Sequence, residues 1–211
     1  MKKVVVFGAS GRVGQKLVQI GLEKGLCVTA FMRSGEGVPA EHENFRLIVG
    51  DMRDDALVHE AVTGQDGVFF APGPRNLHRP ITILSESIAG ILQAMRTHDV
   101  HRIVVLGGAG ILQDNSYQLR MERPDFPPFL MYVMQDHLRV YDLLRRSDRD
   151  WTLTCPVNIV PDDPAGMYVV RVDYFPEPGH FQISAGDVAD CMMAQFLEGN
   201  FIRRRVGIAG L

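Results

Sequence analysis

No apolar run in this 211-residue chain approaches the ~18 residues of a membrane span. The start also lacks the long apolar stretch of a secretory leader, since Met1-Lys2-Lys3 leads into only Val4 to Phe7 before a glycine. Cysteine is scarce. Cys27, Cys155 and Cys191 stand too far apart for a CxxC pair or a zinc pattern, and they lie in apolar strand-like or helical stretches. They read as reduced core residues of a cytoplasmic protein, and no metal site is expected. A strong charge of either sign is missing as well. A formal net charge of −3 argues against nucleic acid as the main partner. The one basic run, Arg203-Arg204-Arg205, reads as a solvated turn or the guard of an edge strand. Without repeats or low-complexity linkers, a single domain is expected over residues 1–211.

What the chain does have is concentrated at its start. Val4-Val5-Val6-Phe7 is a short apolar β-rich run that breaks into Gly8-Ala9-Ser10-Gly11-Arg12-Val13-Gly14, and an amphipathic segment follows. A strand that turns on glycines straight into a helix leaves unpaired backbone N–H groups at the helix start. With the macrodipole they form an anion site, the usual seat of a dinucleotide pyrophosphate. Gly8 permits the tight turn, Gly11 lets phosphates approach the backbone, and Gly14 lets helix and strand pack closely. Ser10, Arg12 and Val13 complete the cradle.

Beyond this junction, strand and helix alternate. Candidate strands are 3–7, 27–32, 46–49, 68–71, 102–106 and 152–155, and helical patterns cover 13–24, 56–63, 81–97, 129–146 and 187–197. Several strands are near-continuous apolar runs, as buried parallel strands should be. The expected fold is therefore α/β, a Rossmann-type doubly wound parallel sheet with ligands at the carboxyl ends of its strands. A nucleotide-binding core over 1–157 and a small C-terminal substrate-side annex over 158–211 follow. Ile111 to Pro128 has no clean periodicity and reads as a lid or substrate loop, with Tyr117 and Phe126 available to cover a flat ring. Asn158 to His180 is proline-rich, with short β-like pieces around Val169 and Phe181, and Ala185-Gly186-Asp187 reads as the cap region of the last helix.

The end of the second strand should decide the cofactor. An acid there accepts from the ribose 2′-OH of NAD, whereas an arginine neutralises the 2′-phosphate of NADP. Here the strand ends Phe31-Met32-Arg33-Ser34, with no acid until Glu36, so NADP(H) is favoured over NAD(H). Arg33 would pair with the phosphate, Ser34 would add a hydroxyl, and Arg12 would approach from the other side. After the third strand, Asp51 and Met52 join the same crevice, where the Asp51 carboxylate can accept from the adenine amino group. Its alternative role, capping the next helix, suits Asp54 better. After the fourth, Ala71-Pro72-Gly73-Pro74-Arg75 offers small, rigid residues for the cofactor to lie against.

Taken together, Gly8 to Gly14, Phe31-Met32-Arg33, Gly50-Asp51, Asp150-Trp151-Thr152 and Ile183 to Ala189 resemble the atypical short-chain dehydrogenase/reductases with NmrA-like NAD(P)H-binding domains, nearest the flavin reductase/biliverdin-IXβ reductase group. The resemblance covers essentially the whole chain. It implies a Rossmann fold, NADP(H) binding and hydride transfer to a flavin-like or tetrapyrrole acceptor. One departure is decisive. Ordinary short-chain dehydrogenases use a Tyr-x-x-x-Lys pair to shuttle a proton, but the only lysines here are Lys2, Lys3, Lys16 and Lys24. Aligned on that pattern, Val133 stands at the tyrosine position and His137 at the lysine position. A nicotinamide pocket would then be walled by Gly107 and Gly108 on one side and by Pro156 and Val157 on the other. Asn158 would orient the carboxamide or an acceptor carbonyl, and His137 is the best group for titration near neutral pH, although a structural role fits it equally. The leading expectation is an NADP(H)-dependent reductase of a small conjugated acceptor such as a flavin, a quinone or a tetrapyrrole-like molecule, monomeric or homodimeric. The alternative is an NmrA-like regulatory protein that senses the dinucleotide without turnover; an epimerase is weaker, for want of an acid/base pair.

Overall fold

The computed structural model describes residues 1–35, 42–74, 76–115 and 117–211; Glu36 and Arg75, named above, lie outside them. In chain order the elements are β1 (Lys3–Phe7), α1 (Arg12–Glu23), β2 (Cys27–Met32), β3 (Phe45–Val49), α2 (Asp55–Val62), β4 (Gly67–Phe70), α3 (Ile83–Thr97) and β5 (Arg102–Leu106). A short hairpin of β6 (Gln113–Asn115) and β7 (Gln118–Leu119) follows, then α4 (Met131–Arg146), β8 (Asp150–Pro156), β9 (Asn158–Val160), β10 (Tyr168–Val172), β11 (Gln182–Ser184), α5 (Ala185–Glu198) and β12 (Arg204–Gly210). Among the described residues no helix is long and apolar enough to cross a membrane.

The central sheet has eight strands in the order β10-β12-β8-β5-β4-β1-β2-β3. Its pairings are parallel except for β10, which runs antiparallel to β12. The chain leaves β1 toward β2 and β3, then returns to β4 on the other side, so the connectivity reverses between β1 and β4. That reversal opens a crevice at their carboxyl ends, the usual ligand position in such sheets. Successive side chains of β1 serve both faces. Val5 and Phe7 enter the core under α2, α3 and α4, while Val4 and Val6 enter the core under α1 and α5. This two-sided burial is why the strand reads as an unbroken apolar run. Burying each such side chain contributes about 1.5–3 kcal/mol, so four in a row anchor the glycine turn firmly.

Two readings of the late sequence need correction. The last helix begins at Ala185, two residues before the expected start, because Ser184 is its N-cap and accepts from the Asp187 N–H at 2.8 Å. The basic run is neither a solvated turn nor an edge guard as a whole. β12 lies inside the sheet between β8 and β10, and Arg205 is buried. Its guanidinium donates to the Ile111 carbonyl and to Asp173 and lies over the Tyr141 ring, 4.5 Å from the ring centre. The small β9–β11 ladder and the 161–167 loop stand at the carboxyl side of the sheet, against the start of α5.

Candidate functional site

The glycine turn is tied down on both sides. The Gly8 N–H donates to the Phe31 carbonyl at 3.1 Å, and the Ala71 N–H donates to the Phe7 carbonyl at 2.9 Å. Gly8 has φ +80°, the left-handed region that favours glycine, and a Cβ there would lie 2.6 Å from the Pro72 nitrogen. A Cβ on Gly14 would run into the Gly8 carbonyl oxygen and approach the Ala9 Cα to 2.9 Å. Gly11 is different: its Cβ would stand 3.2 Å from the Gly8 oxygen, tight but not forbidding. Gly11 is the N-cap of α1, and no side chain caps that end, which also lacks an acid in its first turn. The first N–H groups of α1, with the positive end of its dipole, are thus presented to the crevice.

That crevice is a cleft of about 750 Å³. Gly8, Ser10 and Gly11 line it from the turn, Arg33 from the end of β2, Asp51, Met52 and Arg53 from the end of β3, and Pro72 and Gly73 from the end of β4. The facing wall is the segment that leads into α3, including Arg79 and Ile81 to Leu84. This wall is braced from behind by α4. The fully buried Asp136 accepts from the Leu84 N–H at 3.0 Å and the Ser85 hydroxyl at 2.6 Å, and Arg139 donates to the Ile81 carbonyl at 3.2 Å. Asp54 caps α2 through the Leu57 N–H, so Asp51 has no capping duty. Instead it is engaged by Arg53, whose guanidinium and main-chain N–H all donate to it, and this holds the carboxyl well below its ordinary range, at about 2.

The remaining expected site residues lie outside the cleft lining. Val13 and Gly14 are buried behind the turn, Ala71 is buried, and Ser34 is exposed beside Arg33. Arg12 donates to the Ile159 carbonyl at 2.6 Å, which ties the turn to the β9–β11 ladder and directs the guanidinium there. Gly107 and Gly108 follow β5 and are buried, as are Pro156 and Val157 at the end of β8. The glycine run has a packing cause, since a Cβ on Gly108 would come within 2.6 Å of the Met134 methyl and one on Gly110 would meet Met134 and Phe126. Asn158 is exposed on β9, with its N–H on the Phe181 carbonyl, and Tyr117 is almost wholly exposed in the β6–β7 hairpin.

Of the two roles the sequence leaves open for His137, its surroundings favour the structural one. It is buried on the inner face of α4, close to Gly108, and burial pushes its pKa down to about 4 against a weaker opposing pull from Asp136. The imidazole is therefore neutral at pH 7, and its buried Nδ1 has no hydrogen-bond partner among the described residues. Sequence reasoning missed Arg53, Arg79 and Asp136. Arg53 could have been found from its place two residues after Asp51. Asp136 gives no signal beyond being a carboxylate on the apolar face that Val133, His137 and Val140 define.

Comparison with known proteins agrees with this geometry. A family model described as NAD(P)H-binding matches residues 8–198. The Bacillus subtilis (strain 168) protein YwnB, itself uncharacterized, is 28% identical over 171 residues, spanning 78% of this chain and 75% of YwnB. Among solved structures, a candidate NADH-flavin reductase from Streptococcus pneumoniae superposes with a TM-score of 0.85 at 27% identity, over 100% of both chains. A candidate epimerase from Bacteroides thetaiotaomicron gives the same TM-score at 25% identity, over 100% of this chain and 97% of its own.

Proposed function

This chain belongs to the NAD(P)H-binding family, and from that premise we propose that it is a reductase that takes NADPH in preference to NADH and reduces a small conjugated acceptor: a flavin, a quinone or a tetrapyrrole-like molecule. The coarser statement, an oxidoreductase-type fold that binds a nicotinamide dinucleotide, rests on the family match and the reductase-like neighbour. The observation that carries the finer reading is one cleft that holds both the uncapped start of α1 and the Arg33 guanidinium. An anion site and a cation at the two ends of an adenosine diphosphate suit a dinucleotide with a phosphorylated ribose. The residues fit such a group, because Gly8, Ser10 and Gly11 bring the uncapped start of α1 to the cleft with no bulky side chain in front of it.

In this reading the free N–H groups of Arg12 and Val13 at the start of α1 would hold the diphosphate, while the Gly11 N–H closes the turn on the Gly8 carbonyl at 2.9 Å and Gly8, Ser10 and Gly14 shape it. Arg33 and Ser34 face the ribose phosphate, Asp51 and Met52 border the adenosine, and Ala71, Pro72 and Gly73 give a rigid floor. Gly107, Gly108, Pro156 and Val157 would border the reactive end, and Asn158 would orient a carbonyl. When bound, the reduced nicotinamide supplies a hydride. The protein's share is alignment and exclusion of water, which can account for much of the acceleration. Burial keeps the His137 imidazole neutral at pH 7, so this reading assigns it no proton transfer and takes the acceptor's proton from solvent.

The test is direct. NADPH oxidation is assayed against a panel of flavins and quinones, and both cofactors are titrated calorimetrically into Arg33→Ala. Loss of one charge-assisted contact, ~1.5–3 kcal/mol, should weaken NADPH roughly ten- to hundredfold and spare NADH. Equal loss of both cofactors would make Arg33 structural. Tight NADPH binding with no oxidation by any acceptor would give precedence to dinucleotide sensing without turnover.

A further inference from the structure

Resting on the reading just given, we infer that Asp51 is a positioning residue rather than an adenine acceptor: it holds Arg53 as a second reader, beside Arg33, of a phosphomonoester on the cofactor's adenosine ribose.

The geometry of the pair carries this. Arg53 places Nε 3.0 Å from Asp51 Oδ1 and Nη2 2.6 Å from Oδ2, while its own main-chain N–H reaches Oδ1 at 3.0 Å. Both carboxylate oxygens are thus taken by one neighbour in a two-pronged, planar arrangement. A carboxylate so engaged has little left for an adenine amino group. The guanidinium, by contrast, has five N–H donors and spends two on Asp51, which leaves the Nη1 pair and one Nη2 hydrogen for another anion.

Placement agrees with that use. Arg33 and Arg53 line the same cleft from the ends of neighbouring parallel strands, β2 and β3, with Asp51 close enough to feel both. Three guanidiniums, of Arg33, Arg53 and Arg79, against the carboxylates of Asp51 and Glu86 leave the cleft lining with one net positive charge, which complements a phosphate dianion and gives no advantage to a bare ribose hydroxyl. Asp51 also fixes the long Arg53 side chain before the ligand arrives, so less rotamer entropy is lost on binding. The pair is about half exposed on each side, so it adds little to folding stability and its variants should fold.

The experiment measures dissociation constants for NADPH and NADH by calorimetry in wild type, Arg53→Gln, Asp51→Asn, the double variant and Arg33→Ala, with circular dichroism to verify folding. The two single variants at 51 and 53 should each weaken NADPH by roughly ten- to hundredfold and leave NADH within about twofold. The double variant should be no worse than Arg53→Gln alone, because a positioning residue has nothing left to position. Asp51→Glu should recover part of the NADPH preference. A loss in Asp51→Asn that is equal for both cofactors would mean that the carboxylate meets the adenine, and overturns the inference. A selective NADPH loss in Arg33→Ala, with Arg53→Gln unchanged, also overturns it while leaving the proposed function standing. If wild type itself binds NADH as tightly as NADPH, the NADPH reading fails and the inference with it.

Discussion

At the scale of single residues, His137 shows how far burial can move a side chain from the role its type suggests. Its folded pKa of about 4 lies below the ordinary 6.5, so between those values the unfolded chain binds the extra proton more readily than the native one. Stability is therefore intact above pH 6.5 and is lost as pH falls toward 4. At pH 5 this one group should remove about 2 kcal/mol relative to pH 7. A His137→Leu variant, similar in bulk and free of the unpartnered Nδ1, should lose correspondingly less between those two pH values. Urea midpoints of both proteins at pH 7 and pH 5 check this, and parallel falls would mean that the imidazole is charged in the fold. The type and spacing of His137 were legible in the sequence. Its depth was not, because nothing in the sequence says that this face of α4 packs on the run from Gly107 to Gly110, where Met134 and His137 both come up against Gly108. Asp51 is a similar case: its place at the end of β3 was legible, but its engagement by Arg53 depends on side-chain geometry that no periodicity records.

At the scale of elements, the strand–glycine–helix unit separates two uses of glycine that the motif treats alike. Gly14 is needed by the fold, because its Cβ would strike the Gly8 carbonyl, and Gly11 is not, because its backbone is extended and its Cβ is merely tight. Gly14→Ala should thus cost about 1–3 kcal/mol of overpacking and lower the urea midpoint. Gly11→Val should leave the midpoint almost unchanged and abolish calorimetric NADPH binding, since its methyls enter the anion seat. The reverse ranking would misplace that seat. The buried parallel strands were legible to within a residue or two, because two-sided burial writes a continuous apolar run. β12 was not. Its first residues are arginines, and Gly207 interrupts the pattern where a Cβ would lie 2.6 Å from the Tyr174 carbonyl and 2.8 Å from a Leu112 methyl. That close approach explains the glycine but hides the strand. The hairpin of β6 and β7 was hidden for another reason: strands of two or three residues carry too little alternation to read.

At the scale of the whole molecule, the residues after 157 are the part that bears on cooperativity. None of them lines the cleft, yet they supply α5, which lies on α1, and two strands of the central sheet. Phe196 stacks edge-on against Phe69 at 5.4 Å, Thr154 donates to the Gln195 side chain at 2.6 Å, and Arg102 donates to the Gln195 carbonyl at 2.8 Å. Without them β8 would have an open edge, and Val4, Val6 and Ile20 would lose the apolar face that covers them. We therefore expect one cooperative transition rather than a stable core with a detachable annex. The single tryptophan makes this measurable: Trp151 is buried on β8, between β5 and β12, and so reports the middle of the sheet. Urea unfolding followed by Trp151 fluorescence and by far-ultraviolet circular dichroism should give coincident curves with one midpoint. A fragment of residues 1–157 should show neither native fluorescence nor NADPH binding. If that fragment folds and binds the cofactor, the dinucleotide site needs only the first six parallel strands, and the late segments serve the acceptor alone.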